Sequence, residues 1–363
     1  MTKTIRFLLN ANQFPEDQDA IMARLRRHLQ ALRAKTADPD SEPGWGVAPS
    51  DDLDGPVRNY GSVDVEKIRR RADAIVKLRR KKNGLGHLDR EIRQRLLDAP
   101  RAMRLDGPAN EHAADELASK LYEESPWLAP AIEVIWQDMR RFAREGLGLK
   151  FRPILLDGPS GIGKTHLARR IGELSGLPAL DFDVGSGSEG FRLTGLSKGW
   201  GTAQPSQVVE RILDSGCANP IVFVDEIDRA GVLFSKGGLP TSVITSLLVL
   251  LEPRSAEGWE CPFYQLKFDM SHVNWILASN RADLMPEPLR TRLRIVSLPG
   301  MRHIDLNLAS LRQCRLRGLS DQAVEDIARV LSVIPPGHSS LNMRTLSRLL
   351  DDREVLERKP TLN

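Results

Sequence analysis

Long apolar runs are missing from this chain of 363 residues: the longest, Val243 to Leu251, is broken by Thr245 and Ser246. It falls far short of the ~20 residues a membrane span requires, so no transmembrane helix and no membrane partner are expected. Cysteine is scarce. Cys217, Cys261 and Cys314 lie far apart without metal-ligand spacing, which excludes a disulfide framework and fits a reducing interior. The opening Met-Thr-Lys-Thr-Ile-Arg-Phe-Leu-Leu has a brief apolar patch and no small-residue cleavage site after it, so secretion is not expected and the cytoplasm is. Charge of one sign is also lacking: 52 basic residues against 48 acidic ones leave a net +4, too mild by itself to declare a nucleic-acid partner. Aromatic residues make up 5% of the chain and seven histidines show no metal-binding pattern. Hydrophobic residues at 41% and charged residues at 28% describe a folded chain with length for two or three domains.

Texture changes along the chain. Residues 1–124 show helical periodicity broken by a turn-rich stretch, Asp38 to Gly61, that holds Pro39, Pro43, Gly44, Gly46, Pro49, Gly55 and Pro56. Asp64 to Lys82 reads as a basic helix, with Lys67, Arg69, Arg70, Arg71, Lys77, Arg79, Arg80, Lys81 and Lys82 and, within that basic run, one internal acid, Asp73. A second helical segment, Glu111 to about Glu123, precedes Ser125-Pro126-Trp127 and an amphipathic helix. From Phe151 short apolar runs alternate with helices, as a parallel sheet with crossovers demands. The runs are Pro153–Leu156, Ala179–Val184, Ile221–Val224, Val273–Ala278 and Ile295–Leu298, and five buried strands are expected. After Gly300 only helical patterns follow, near 304–316, 321–331 and 342–350. The predicted class is α/β: a five-stranded parallel sheet at 125–300, a helical lid at 301–363, and a mostly helical region at 1–124 for binding a partner or substrate.

Chemistry concentrates at Gly158-Pro159-Ser160-Gly161-Ile162-Gly163-Lys164-Thr165. This eight-residue pattern follows an apolar strand and opens a helix, the context in which it binds phosphate. Its glycines let successive amides turn inward on a phosphate chain, and the helix N-terminus adds unpaired donors. Lys164 is placed to reach the β- and γ-phosphates, and the Thr165 hydroxyl to ligate Mg²⁺. A later strand, Ile221 to Val224, ends in Asp225-Glu226. There Asp225 can hold the metal's hydration shell and Glu226 can polarise an attacking water. His166, next in the helix, is read as a neighbour of the cofactor site and not as a metal ligand.

With these motifs the chain resembles the AAA+ ATPases, and the motif order is most similar to the ATPase module of the Lon family over residues 125–355. Asp-Glu-Ile-Asp at 225–228, Leu247-Leu-Val-Leu-Leu-Glu-Pro253 and Trp275-Ile-Leu-Ala-Ser-Asn280 stand in that order. The resemblance implies that Asn280 helps hold the attacking water and that Arg292 is a finger inserted into a neighbouring subunit's site, with Arg290 and Arg294 as alternatives. It implies that Arg344, on the last lid helix, reaches toward the nucleotide. Trp200, between Gly199 and Gly201, stands where the family's pore loop grips substrate; packing against its own domain is the alternative. The family's peptidase domain is not expected, because the chain stops at Asn363 soon after the lid.

These features imply an ATP hydrolase with ATP and Mg²⁺ as cofactors. It is expected to work as a hexamer or other ring that remodels or unfolds a protein substrate or regulates a partner effector. A nucleic-acid-directed ATPase, contacting nucleic acid through 67–82, and a nucleotide-gated assembly switch stand as alternatives.

Overall fold

The computed structural model describes residues 3–9, 18–36, 62–82, 85, 87–100, 102–186, 189–196, 203–230, 232–234 and 240–358. The chain divides into two compact units, one of Asn10–Ala99 and one of Met1–Leu9 with Pro100–Asn363. The smaller unit holds helices α1 (Gln18–Thr36), α2 (Ser62–Lys82) and α3 (Arg90–Asp98). Ile21, Ala72 and Val76 are its buried cluster, with Met22, Leu25 and Ile75 packed around them. Burial recurs at Ile68, Ala72 and Val76 of α2, the i, i+4 spacing that puts one helix face against a neighbour.

The larger unit begins earlier than the change of texture at 124/125 in the sequence. Helix α4 (Glu111–Glu124) starts on Asn110, whose Oδ1 accepts from the Ala113 amide at 2.9 Å. Its Ala114, Leu117 and Leu121 share a core with Ile132, Ile135 and Met139 of α5 (Ala129–Arg144). The sheet follows: β1 (Ile154–Asp157), β2 (Ala179–Asp183), β3 (Ile221–Asp225), β4 (Asn274–Ser279) and β5 (Arg294–Ser297). All five expected runs are strands. They are parallel and ordered β5-β1-β4-β3-β2. The expectation of five buried strands needs correction. Every residue of β4 and the first four of β3 are buried, whereas edge strands β2 and β5 alternate, with Asp181, Asp183, Ile295 and Ser297 exposed. Only strands with neighbours on both sides are covered along their length here.

Helix α6 (Lys164–Ser175) joins β1 to β2 and is bounded by left-handed glycines, Gly163 at φ 100° and Gly176 at φ 70°. Ser206, whose Oγ donates to the Leu193 carbonyl at 2.6 Å, opens α7 (Gln207–Ser215) before β3. Three helices close the chain: α8 (His303–Arg317), α9 (Asp321–Ser332) and α10 (Met343–Glu357). Their Leu306, Ala309, Ile327, Leu331, Leu346 and Leu350 extend the core that begins under the sheet. No described helix is long and apolar enough to cross a membrane.

Unlike the sheet, the small antiparallel ribbons were not anticipated. Trp259–Cys261 pairs with Leu266–Phe268, and Thr4–Ile5 pairs with Met103–Arg104. Phe7 packs on Phe268 with ring centroids 5.1 Å apart, so the chain's start is stitched to residues 260 positions later.

Two buried asparagines anchor the amino ends of the central strands. Asn219 Nδ2 donates to the Asp106 carbonyl at 2.8 Å and the Leu149 carbonyl at 2.9 Å, and its Oδ1 accepts from the Asp106 amide at 3.0 Å. Asn274 Nδ2 donates to the carbonyls of Leu149 and Asn219, while its Oδ1 accepts from the Phe151 amide at 3.1 Å. Truncating either side chain strands backbone groups away from water. Asn219→Ala is expected to lower unfolding stability by about 3 kcal/mol, read as a shift in the urea midpoint. A change below about 0.5 kcal/mol would show that these bonds do not anchor the strands.

Candidate functional site

Parallel strands with helices on both faces leave a crevice beyond their carboxyl ends, where the chain switches from one side of the sheet to the other. Here β1 feeds a loop and α6, the next strand lies three places away beyond β4 and β3, and β5 closes the other side. The loop from Gly158 to Gly163 turns through left-handed backbone at Gly161 (φ 78°) and Gly163 (φ 100°), conformations that a side chain disfavours. The first turn of α6 therefore points Lys164 and Thr165 back over the sheet.

Lys164 is nearly buried. Its ammonium donates to the carbonyls of Gly158 at 2.5 Å and Ser279 at 2.9 Å and to Asn280 Oδ1 at 3.0 Å. Burial pulls its pKa below the ordinary lysine value, and the nearby charges of Asp225, Asp157 and Asp228 oppose that shift. Thr165 Oγ1 donates to Asp225 Oδ2 at 3.2 Å, and Asp225 Oδ1 accepts from the Glu226 amide at 2.9 Å. Residues predicted from three separate strands thus converge within hydrogen-bond reach of one another.

Glu226 sits in left-handed backbone at φ 52°, an uncommon conformation for a residue with a side chain. Its Oε1 accepts from Arg229 Nη1 at 2.7 Å. Its other oxygen lies over Gly185, where an added Cβ would stand 2.5 Å from Oε2 and 3.1 Å from the Glu226 Cβ. Asp228 Oδ1 is shut off from solvent without a hydrogen-bond donor among the described residues. The Thr165 hydroxyl and Asp225 carboxylate are hard oxygen donors, and they suit Mg²⁺ better than a softer metal.

The lid reaches the same loop. The Met343 amide donates to the Gly161 carbonyl at 2.8 Å, and Asn342 caps α10 by accepting from the Thr345 amide at 2.9 Å. Arg344, one residue into that helix, lines the phosphate cleft with Ser160, His166, Glu226 and Asn280; the cleft has a volume of about 570 Å³. A second cavity of about 280 Å³ adjoins it through Gly163, His166, Met343 and Ser347. Trp127, Ala309, Leu346 and Leu350 give that cavity apolar walls, and Glu124, Arg312 and Gln313 give it polar ones. Glu124 accepts from Arg170 at 2.7 and 2.8 Å and lies 3.2 Å from lid residue Arg312. The Arg170 guanidinium holds the Glu124 carboxyl below the usual carboxylate range, so this link persists at neutral pH and weakens only as acid protonates the carboxyl.

The structure does not bring every predicted residue together. Arg292 is outside the lining of its own chain's cleft; its Nη1 donates to the Pro288 carbonyl at 2.7 Å and its Nε lies 3.7 Å from Glu252. Trp200 falls outside the described residues. Pro159 and Ile162 serve the loop differently: Pro159 lines a separate pocket with Gly300 and His338, and the Ile162 carbonyl accepts from the Trp127 indole at 2.8 Å. Trp127, Glu124, Arg312 and Gly185 are contributors that sequence reading missed. Of these, only Trp127 carried a local signal, the Ser-Pro-Trp helix start.

Residues 154–299 match the family described as ATPase family associated with various cellular activities (AAA). That segment is similar to the AAA module of Lon proteases. The Lon protease of Anaeromyxobacter dehalogenans (strain 2CP-C) is 28% identical over 201 residues, 54% of this chain and 23% of that protein. The Lon protease of Aquifex aeolicus (strain VF5) is 32% identical over 143 residues, 39% of this chain and 17% of its own. The matched region spans less than a quarter of either relative. A structure titled as a closed-state cryo-EM reconstruction of Hsp104 with ATPyS and FITC casein shares the fold at TM-score 0.51 and 16% identity, over 79% of this chain and 51% of that one.

Gly185 leaves no room for a Cβ beside the Glu226 carboxylate. Gly185→Ala is expected to displace Glu226 and, on the function proposed below, to lower ATP turnover by about tenfold or more while nucleotide affinity is kept. Single-turnover kinetics with a direct binding assay separate the two. Unchanged turnover would show that Glu226 does not depend on this contact.

Proposed function

We propose that this chain is an ATP hydrolase that works as a ring of subunits and applies force to a protein substrate or a partner effector. The observation that carries the proposal is the convergence of Lys164, Thr165, Asp225, Glu226 and Asn280 at the carboxyl ends of β1, β3 and β4. Lys164 exchanges its carbonyl partners for the β- and γ-phosphates, while the amides of the Gly158–Gly163 loop cradle them. Thr165 and Asp225 hold Mg²⁺, which when bound neutralises charge on the phosphates. Glu226, released from Arg229, takes the proton of the attacking water, and Asn280 orients that water. The purine base lies against Trp127, Met343 and Leu346 in the adjoining cavity, beside His166. Arg344 contacts the phosphates from the lid, so loss of the γ-phosphate loosens α10.

Arg292 supplies its charge to the next subunit's cleft. Its position outside its own cleft supports this role, and a cation supplied across an interface makes hydrolysis depend on assembly. Protein remodelling is favoured over a simple assembly switch by the similarity to Lon proteases and by the casein named with the Hsp104 structure.

Lys164→Ala is expected to abolish ATP binding. Glu226→Gln is expected to keep binding and lose about 10² to 10⁴ in turnover, and Arg292→Ala about 10³ or more. Turnover per subunit is expected to rise with protein concentration and with added unfolded protein. Wild-type turnover in Arg292→Ala would refute the trans assignment, and indifference to unfolded protein would favour the assembly switch.

A further inference from the structure

Two helices of the smaller compact unit concentrate basic charge, although Asn10–Ala99 as a whole carries eighteen basic residues against fifteen acidic ones. Helices α1 and α2 hold fourteen basic residues against four acidic ones, a net +10, in a chain whose total is only +4. On α2, Lys67, Arg70 and Lys77 recur at helical spacing on the face opposite Ile68, Ala72 and Val76, and Arg69 and Arg71 flank them; all five are exposed. Arg70 alone of these makes an ion pair among the described residues, with Glu66 at 2.8 Å. Both partners are solvated, so the pair exchanges readily for a stronger anion.

We propose that this face of α2 docks along the phosphate backbone of a nucleic-acid duplex. Two observations select that occupant. First, the continuous apolar face of α2 is already packed on Ile21, Met22 and Leu25, so it cannot enter a bilayer as an interfacial helix must. Second, α2 is an unbroken helix of 21 residues, about 31 Å at 1.5 Å per residue. That length runs beside several phosphates of a rod bearing one charge per ~1.7 Å of axis. Binding of this kind reads charge and not base sequence.

The inference is independent of the ATPase reading: Lys164→Ala should bind duplex like the parent chain. The test is fluorescence anisotropy of the full chain with a labelled 20-base-pair duplex. Five neutralised phosphates give a log–log salt slope of about −4.5 and an affinity loss of about 500-fold between 50 and 200 mM salt. The triple variant Lys67→Gln, Arg70→Gln, Lys77→Gln should bring the slope to about −2, with an unchanged far-ultraviolet circular dichroism spectrum as a check on folding. Lys67→Arg with Lys77→Arg should retain wild-type binding. The proposal is overturned by absence of duplex binding at 50 mM salt or by a triple variant that binds as tightly as the parent. It is equally overturned by tighter binding to the matching single strand or to phosphatidylserine vesicles than to duplex.

Discussion

A buried ammonium holds the site together. Lys164 is withdrawn from water at the first turn of α6, and an unpaired cation there would cost several kcal/mol. The carbonyls of Gly158 and Ser279 and the amide oxygen of Asn280 offset that cost, and in doing so they tie β1 to β4 across their carboxyl ends. Under the function proposed above, a bound phosphate displaces these carbonyl contacts.

Around that point the rest of the larger unit acts as a frame. Asn219 and Asn274 pin the amino ends of β3 and β4, so the carboxyl ends that carry Asp225 and Asn280 are held in register from below. Trp127 grips the phosphate loop from α5's side through the Ile162 carbonyl, and Met343 grips it from the lid through the Gly161 carbonyl. Glu124 joins α6 and the lid through two arginines. A change at the phosphates therefore has three short routes into the helices that flank them, each a hydrogen bond or ion pair and not a diffuse surface.

Much of this was legible in the residues. The five strands, the three closing helices and the phosphate loop announce themselves because short apolar runs, helical spacing and closely spaced glycines are local properties of the chain. Asp225 and Glu226 were readable for the same reason, as carboxylates ending an apolar strand. Gly185 and Glu124 were not. Their roles come from neighbours 41 and 46 positions away, and one sequence has no term for such a distance. The edge strands show the same limit: an apolar run announces a strand but not whether both sides will be covered.

The order of apolar runs, the glycines at 158, 161 and 163, and the carboxylates at 225 and 226 determined the class of fold and the phosphate chemistry, because each acts through backbone conformation or its immediate neighbours. The tertiary structure alone decided that Lys164 meets Asn280, that Arg292 stands outside its own chain's cleft, and that a second cavity opens beneath the lid. Those facts depend on strand order and on which helix faces meet. Strand order is settled by burying the whole apolar surface at once, a global balance that no local stretch of residues carries.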